Sequence, residues 1–581
     1  MLIYRSLVKE VNTKAMLSEL RCLLLDAAGA PTRERIRDLL IRSGEMEAGV
    51  ADALCPDMDA SFPLLDALRH IGLLAGKALY RIRRAQHAEA RRVLGQFKRE
   101  MLGLSAYSLP EKIKVSVPEG YSFYGLYPEM YLESAKKFHE AIHPEKVVCI
   151  GIRSIGTSLS SAVCGALENL GCSTFSITVR PRGHPFDRRV FLSHELERRL
   201  RDHANLPLLV VDEGPGLSGS SFCSVARKAA ELGFEEGKIF LFPSWEPDGS
   251  EFVSETSRSL WPRYTKFSTS FSQIRYELSA FSGCAGGPEF TDVSAGKWRG
   301  VLVENGPDLP AVQPHHERLK FVAKREIDGK KKAVLMKFAG LGSHGNHVCR
   351  RAQVLAEAGF HPQLIETGDG FLTMEVLTGT RLRKGETEKT FLDHAARYFS
   401  FIETSFPSEG PPARDELLEM IRTNIIEGLG PEWERYSEKV VASSKRMREI
   451  RPVYLDNRAA PHEWVLCTGR IFKTDSADHF DDHFFPGPQD IAWDLSAFRI
   501  EFGLGPDTWG YFVERFEEES GTRIWGKEVF YGIAYLAFRL GYCSLSAASL
   551  GDSEDGLRFL KLRENYASLL KSELIRLPRP V

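Results

Sequence analysis

Four short apolar runs, VVCIGI, STFSITV, LPLLVV and GKIFLF, follow one another between Val147 and Phe242 and are separated by segments with helical spacing. A strand that is apolar at nearly every position must be covered on both faces. A parallel sheet with helices on either side provides that cover. The intervening segments SLSSAVCGALENLG, LSHELERRLRDHA and SSFCSVARKAAELGF supply the helices. Residues 104–310 are therefore expected to be α/β. Upstream, residues 1–103 read as almost wholly helical, with Leu68, Ile71, Ala75, Leu79, Ile82, Val93, Phe97 and Met101 near helical spacing. A Gly- and Pro-rich connection over 283–314 leads into a third region, 311–581. That region opens with strands at RLKFVAKREI and KKAVLMKFAG and continues through a helix and two strands around LIETGDGFLTMEVL. Its remainder is mainly helical. The connection predicts that the second and third regions have independent cores.

The chain has 581 residues, too many for one ordinary core, and its net charge of −2 creates no global field to draw nucleic acid or an anionic membrane. Basic residues gather between Arg69 and Arg99, a run expected to be a solvated helix face, with nucleic-acid binding as the alternative. Ten cysteines, Cys284 among them, are scattered without a CxxC pair. Several lie inside apolar runs, which fits reduced thiols in a cytoplasmic protein. The stretch FYGIAYLAFRLGYCSLSAASL carries Arg539 and several hydroxyls, so it is expected to be a buried helix and not a membrane span.

The run LLVV ends in Asp212 and Glu213, and the loop GPGLSGSS then opens a helix. In a parallel α/β sheet ligands lie beyond the carboxyl ends of the strands. Glycines let backbone N–H groups approach a ligand, and a helix N-terminus favours an anion. Two carboxylates, loop amides and the hydroxyls of Ser218, Ser220 and Ser221 suit a sugar phosphate.

These features resemble the phosphoribosyl pyrophosphate (PRPP) motif of type I phosphoribosyltransferases. CIGIRSIGTSLSS resembles that family's pyrophosphate loop, and RPRGHPFDRR falls where the family carries a mobile hood; the three motifs also stand in the family's order. The departures are a four-residue GPGL before SGSS and serines in place of threonines. The resemblance implies Mg2+-dependent PRPP binding and transfer of the phosphoribosyl group to an unidentified acceptor. Asp212 and Glu213 would act at the ribose. Arg153, Ser154, Gly156, Thr157 and Arg182, together with Gly216, Ser218, Gly219, Ser220 and Ser221, would hold the phosphates.

In the third region, Lys337 ends an apolar strand and FLTMEVLTGTRL reads as a strand entering a hinge. PHEWVLCTGRIFKTDSADHFDDHFFPGPQDIAWDLSAF follows much later. This series is similar to the aminoglycoside phosphotransferase branch of the kinase-like fold, a bilobal α+β domain. The resemblance implies ATP binding, with Lys337 at the nucleotide phosphates and Met374 to Leu377 against adenine. It places His462 and Glu463 in the catalytic loop and Asp475 on Mg2+. Glu463 and Trp464 follow His462 where the family has Gly and Asp. The base is Asp456 or Glu463, and the first acid in the helix after Lys337 is Glu357. Asp478 and Asp482 add carboxylates to a loop suited to Mg2+ or Mn2+, and Asp494 is expected to hold the catalytic loop.

Together these readings describe a cytoplasmic two-headed transferase acting on small molecules through PRPP and ATP. The alternative is a regulatory protein that binds PRPP or nucleotide without turnover and uses the basic helix as its output surface.

Overall fold

The computed structural model describes residues 1–282, 290–302, 309–444, 447 and 450–577. The strands Lys146–Ile152, Ser173–Val179, Leu208–Val211, Ile239–Phe242 and Thr265–Lys266 form one parallel sheet. Its spatial order places Ser173–Val179 at one edge, followed by Lys146–Ile152, Leu208–Val211, Ile239–Phe242 and Thr265–Lys266. Side chains alternate between two cores. Cys149, Leu209, Val211 and Phe242 face one apolar cluster, while Val148, Ile150, Val210 and Leu241 face another. The uninterrupted hydrophobicity of the strands follows from this two-sided burial.

The helical N-terminal region is the cover of one face of this sheet. Its third helix, Pro63–Arg83, crosses the sheet helix Ile155–Asn169 so closely that a Cβ on Gly76 would lie 2.2 Å from the Ser161 carbonyl oxygen. One on Gly165 would lie 2.3 Å from the Gly76 carbonyl carbon. Arg69 is buried in the same seam, paired with Glu47 at 3.2 Å and donating to the Thr157 carbonyl at 3.0 Å. Lys77 and Arg83 are likewise paired with Glu168 and with Glu133 and Glu277. The expected solvated basic face is thus confined to residues such as Arg84, Arg91, Arg92 and Lys98.

Downstream lies an antiparallel sheet in the order Phe290–Asp292, Lys320–Ile327, Lys330–Phe338, Phe371–Glu375, Leu364–Gly368. Its edge strand comes from the connection, so this sheet begins before residue 311. Residues 283–289 and 303–308 of the connection, Cys284 included, lie outside the described residues. A second, small sheet of Thr380–Arg381, Trp464–Cys467 and Arg470–Lys473 adjoins a helical body. Glu528–Leu550 is long and apolar enough to cross a membrane. It is instead a core helix of that body, with Phe530, Tyr531, Leu536 and Leu540 buried. The nine described cysteines are free thiols.

The expectation of independent cores is corrected. Leu39 and Leu79, Leu159 and Leu209, and Phe321, Met336, Phe338 and Phe371 belong to one apolar cluster. The change of composition near 310 marks a change of sheet type within a continuous interior. Residues 1–12 add a second tie. Ile3 is buried with the C-terminal helices, and Val8–Asn12 pairs antiparallel with Lys112–Ser116.

One guanidinium joins all three regions. Arg37, 1% exposed, binds Glu129 at 2.7 Å and Asp369 at 2.9 Å. Removing the cation leaves two buried carboxylates uncompensated. Arg37→Met is therefore expected to lower stability by about 3–5 kcal/mol in urea titration, whereas a loss below about 1 kcal/mol would give the contact the weight of a surface pair.

Candidate functional sites

A cleft opens between the antiparallel sheet and the helical body. Lys337 reaches it from the end of strand Lys330–Phe338. Met374 to Leu377 line it where the chain leaves strand Phe371–Glu375, and His462, Glu463 and Asp475 face them from the other side. Lys320 pairs across the strands with Lys337, so both ammonium groups enter the same cleft.

Two buried lysines organise the acids. The Lys337 ammonium contacts Asp475 and lies 2.8 Å from Asp478. Burial works against its charge, but the two carboxylates outweigh burial and raise its pKa. Lys473, fully buried, lies 3.1 Å from Asp456 and 2.6 Å from Glu463. Asp456 also accepts from the Tyr398 hydroxyl at 2.8 Å. Burial lifts Glu463 to about 7, against the pull of Lys473. His462 is held neutral, its pKa pushed down to about 3 by burial and the neighbouring Arg381. Its ring stacks on Trp298 at 6.1 Å. Asp494 accepts from the backbone N–H groups of Asp456 at 2.7 Å and Asn457 at 2.8 Å, while the Trp493 indole donates to Asn457 at 3.0 Å. The WDL segment thereby fixes the loop that carries Asp456.

Asp475, Asp478 and His479 place one ligand atom each within 4.8 Å of one another. Asp482 is not in this group. Its carboxylate accepts from the His483 backbone N–H at 2.7 Å, and its carbonyl accepts from Arg5 at 3.0 Å. Of the expected set Asp475, Asp478 and Asp482, the turn between Asp478 and Asp482 carries the last away from the other two, and His479 stands in its place.

The second cleft, wide and open to solvent, lies beyond the carboxyl ends of the parallel strands. Arg153, Ser154, Asp212, Glu213, Gly216 and Ser221 line it, with Tyr124 and Trp245 opposite. Ser154 has φ 112° and ψ −121°, a costly conformation for a residue with a side chain. A Cβ on Gly156 would lie 2.6 Å from the Val211 carbonyl oxygen, so glycine is needed where this turn approaches the acid-bearing strand.

Several expected phosphate ligands are engaged elsewhere. The Arg153 guanidinium is paired with Asp52 at 3.0 Å and with Asp59, and Arg182 is paired with Asp59 at 3.1 Å. Ser218 and Ser220 donate to the Pro185 carbonyl of the hood hairpin at 3.0 and 2.7 Å. Thr157 is buried inside its helix, and Gly219, with φ 64°, abuts Phe252. Sequence inspection could not supply the partners, because Asp52 and Asp59 belong to the helical cover more than ninety positions away. Lys473, Lys320, Arg381 and Arg458 were missed in the first cleft. Alternation along RIFKTD, which places Lys473 and Asp475 on one face, was the available signal for the first of these.

No protein-family model matches the chain, and no curated protein does. Among solved structures, choline kinase LicA from Streptococcus pneumoniae is similar, with 17% identity and a TM-score of 0.33. The match covers 44% of this chain and 89% of that one. An ethanolamine kinase from Plasmodium vivax shares 9% identity over 60% of this chain and 95% of its own, at a TM-score of 0.36. Aminoglycoside 2'-phosphotransferase-IIIa shares 10% over 47% and 98%, at 0.29. Likenesses at these scores carry no weight of their own, and the chemistry is read from the clefts.

Burial lifts Asp212 from 3.8 to about 7. Burial and the charges of Asp212 and Glu119 lift Glu213 from 4.5 to about 8. At these two positions the folded protein therefore keeps protons that the unfolded chain has released above pH 4, and the pair's contribution to stability falls as pH rises from about 4 to about 8. Asp212→Asn with Glu213→Gln removes this loss. The double variant is expected to melt several degrees above the parent at pH 8 and level with it at pH 4. An equal gap at both pH values would assign the effect to something other than ionisation.

Proposed function

We propose that the chain is a nucleotide-dependent phosphotransferase acting on a small molecule, with its active centre in the cleft around Lys337. The observation that carries this reading is the convergence of Lys337, Asp475 and Asp478 opposite the Met374–Leu377 linker, beside an Asp456 loop clamped by Asp494. Apolar Leu335 and Met374 suit the face of a base, and the linker offers backbone groups to its edge. Lys337 and Lys320 stand on the sheet side to receive phosphate oxygens.

Asp475, Asp478 and His479 fit a divalent cation. Two are carboxylates, and the His479 Nε2 faces them at 3.7 Å from Asp475 and 4.0 Å from Asp478. These residues would hold Mg2+ or Mn2+, which supplies charge neutralisation at the phosphates. Asp456 is the carboxylate we assign to accept the acceptor's proton. In the ligand-free arrangement Lys473 and Tyr398 hold it. Glu463, bound to the same ammonium, balances Lys473 and is the weaker candidate for the base.

A second reading assigns the parallel-sheet cleft to a sugar phosphate of the PRPP type. It is favoured by the strained Ser154 turn at the start of Ile155–Asn169, opposite Asp212 and Glu213. Arg188 would then supply its basic rim in place of Arg182, since Arg180, which also lines the cleft, is paired with Asp52. Calorimetric titration with Mg2+ and PRPP should give binding that Asp212→Asn with Glu213→Gln abolishes. Unchanged affinity would remove this site from the proposal.

For the phosphotransferase reading, ATP with Mg2+ should raise the melting temperature of the parent, and Lys337→Met should abolish the shift. Asp475→Asn should lower turnover roughly a hundredfold or more. A parent that binds ATP without consuming it across broad acceptor panels would support nucleotide sensing. A parent with no ATP-dependent shift in Mg2+ or Mn2+ would refute the assignment.

A further inference from the structure

Most charges around the nucleotide cleft are matched pair by pair; the two guanidinium groups that line it, Arg381 and Arg458, have no acid in ion-pair contact, and Arg381 is held by the Leu302 and His462 carbonyls. Lys337 is held by Asp475 and Asp478, Lys473 by Asp456 and Glu463, Arg318 by Asp478 at 2.7 Å, and Lys320 by Glu317 at 2.7 Å. Arg458 lines the cleft two residues after Asp456. Among the described residues it makes no hydrogen bond or ion pair. The five N–H donors of this partly covered guanidinium therefore have no protein acceptor and are free to meet a ligand, and their planar fork matches a carboxylate or a phosphate.

Position separates this group from the nucleotide's own contacts. Lys337 and Lys320 stand on the antiparallel sheet, where the nucleotide phosphates would lie. Arg458 projects from the loop that carries Asp456, the side from which an acceptor must approach. Glu463, Asp475 and Tyr542 are its electrostatic neighbours, and Tyr542 is in turn joined to His316 at 3.2 Å. The wall offered to an acceptor therefore presents two guanidinium groups without an acid in ion-pair contact, and of these Arg458 also has no carbonyl partner. Its carboxylates are already bound to lysines, so a cationic acceptor would meet no free anion there.

We infer that the acceptor is an anion, a small molecule bearing a carboxylate or phosphate group that Arg458 receives beside Asp456. This inference rests on the phosphotransferase reading and names its substrate class.

The test uses the full chain saturated with AMP-PNP and Mg2+, so that the γ-phosphate position is filled, and radiolabelled sulfate in equilibrium dialysis as the probe anion. One sulfate is expected to bind. Arg458→Gln should weaken it by roughly tenfold or more, and Arg458→Lys should retain most of it. AMP-PNP binding by each variant, measured in parallel, shows that the cleft is intact. AMP-PNP binding without sulfate uptake, or uptake unchanged in Arg458→Gln, overturns the inference alone. If Arg458→Gln weakens AMP-PNP while the parent takes up no sulfate, Arg458 belongs to the nucleotide site and the inference fails. No AMP-PNP binding by the parent overturns the phosphotransferase reading and this inference together.

Discussion

A guanidinium buried without partners would destabilise any fold by several kcal/mol. Arg37 is placed where that penalty can be met only if three distant stretches of chain come together. Glu129 belongs to a helix of the parallel-sheet unit, and Asp369 to a turn of the antiparallel sheet. The Tyr127 ring lies 5.2 Å from the Arg37 carbon, and the Tyr127 hydroxyl donates to the Asp369 carbonyl at 2.6 Å. Asp369 uses its other oxygen to accept from Ser279. Hydrophobic burial is non-directional and could tolerate several dockings of the two sheets. This bidentate contact selects one.

The clefts inherit that fixed docking. Arg318 binds the Asp478 carboxylate and also donates to the Ser122 carbonyl at 2.6 Å. Ser122 ends the short helix Glu119–Ser122, whose Gly120 abuts Glu213. The acidic loop of one cleft and the acid pair of the other are thus separated by one arginine and one helical turn. Each cleft is built partly from the other's supporting residues, so neither can be described as a module attached to a neutral scaffold.

Much of this was legible in the sequence where the physical signal is local. Apolar runs such as LLVV report burial on both faces, and the parallel sheet follows. Lys337 was recognisable because an ammonium at the end of an apolar strand needs an anionic partner, and Asp475 because it ends a strand among further acids. Asp494 could be read as a support since WDL opens a helix behind the loop. Partner identity was not legible. Arg153 and Arg182 read as phosphate ligands, but Asp52 and Asp59 claim them from another region. Ser218 and Ser220 read as free donors, but the hood's backbone at Pro185 takes both. Glycine spacing likewise gave no notice that Gly76 and Gly165 let two helices touch backbone to backbone. Such contacts depend on which surfaces meet, a property that no local window contains.

The strap formed by the first residues sets the order in which the molecule can be completed. Ile3 and Arg5 meet His483, Asp482 and Phe485, and the Arg5 contact with Asp482 spans 477 positions. At ordinary rates of synthesis that separation is on the order of a minute of translation, during which Ile3 has no core to enter. Residues 3–5 are therefore among the last to settle, although they are made long before their partners. Because loop closure over so long a span must precede any gain from the contact, their docking reports on a finished body and cannot nucleate one. In a nascent chain the strap is exposed to chaperones and proteases until the acidic loop has been made.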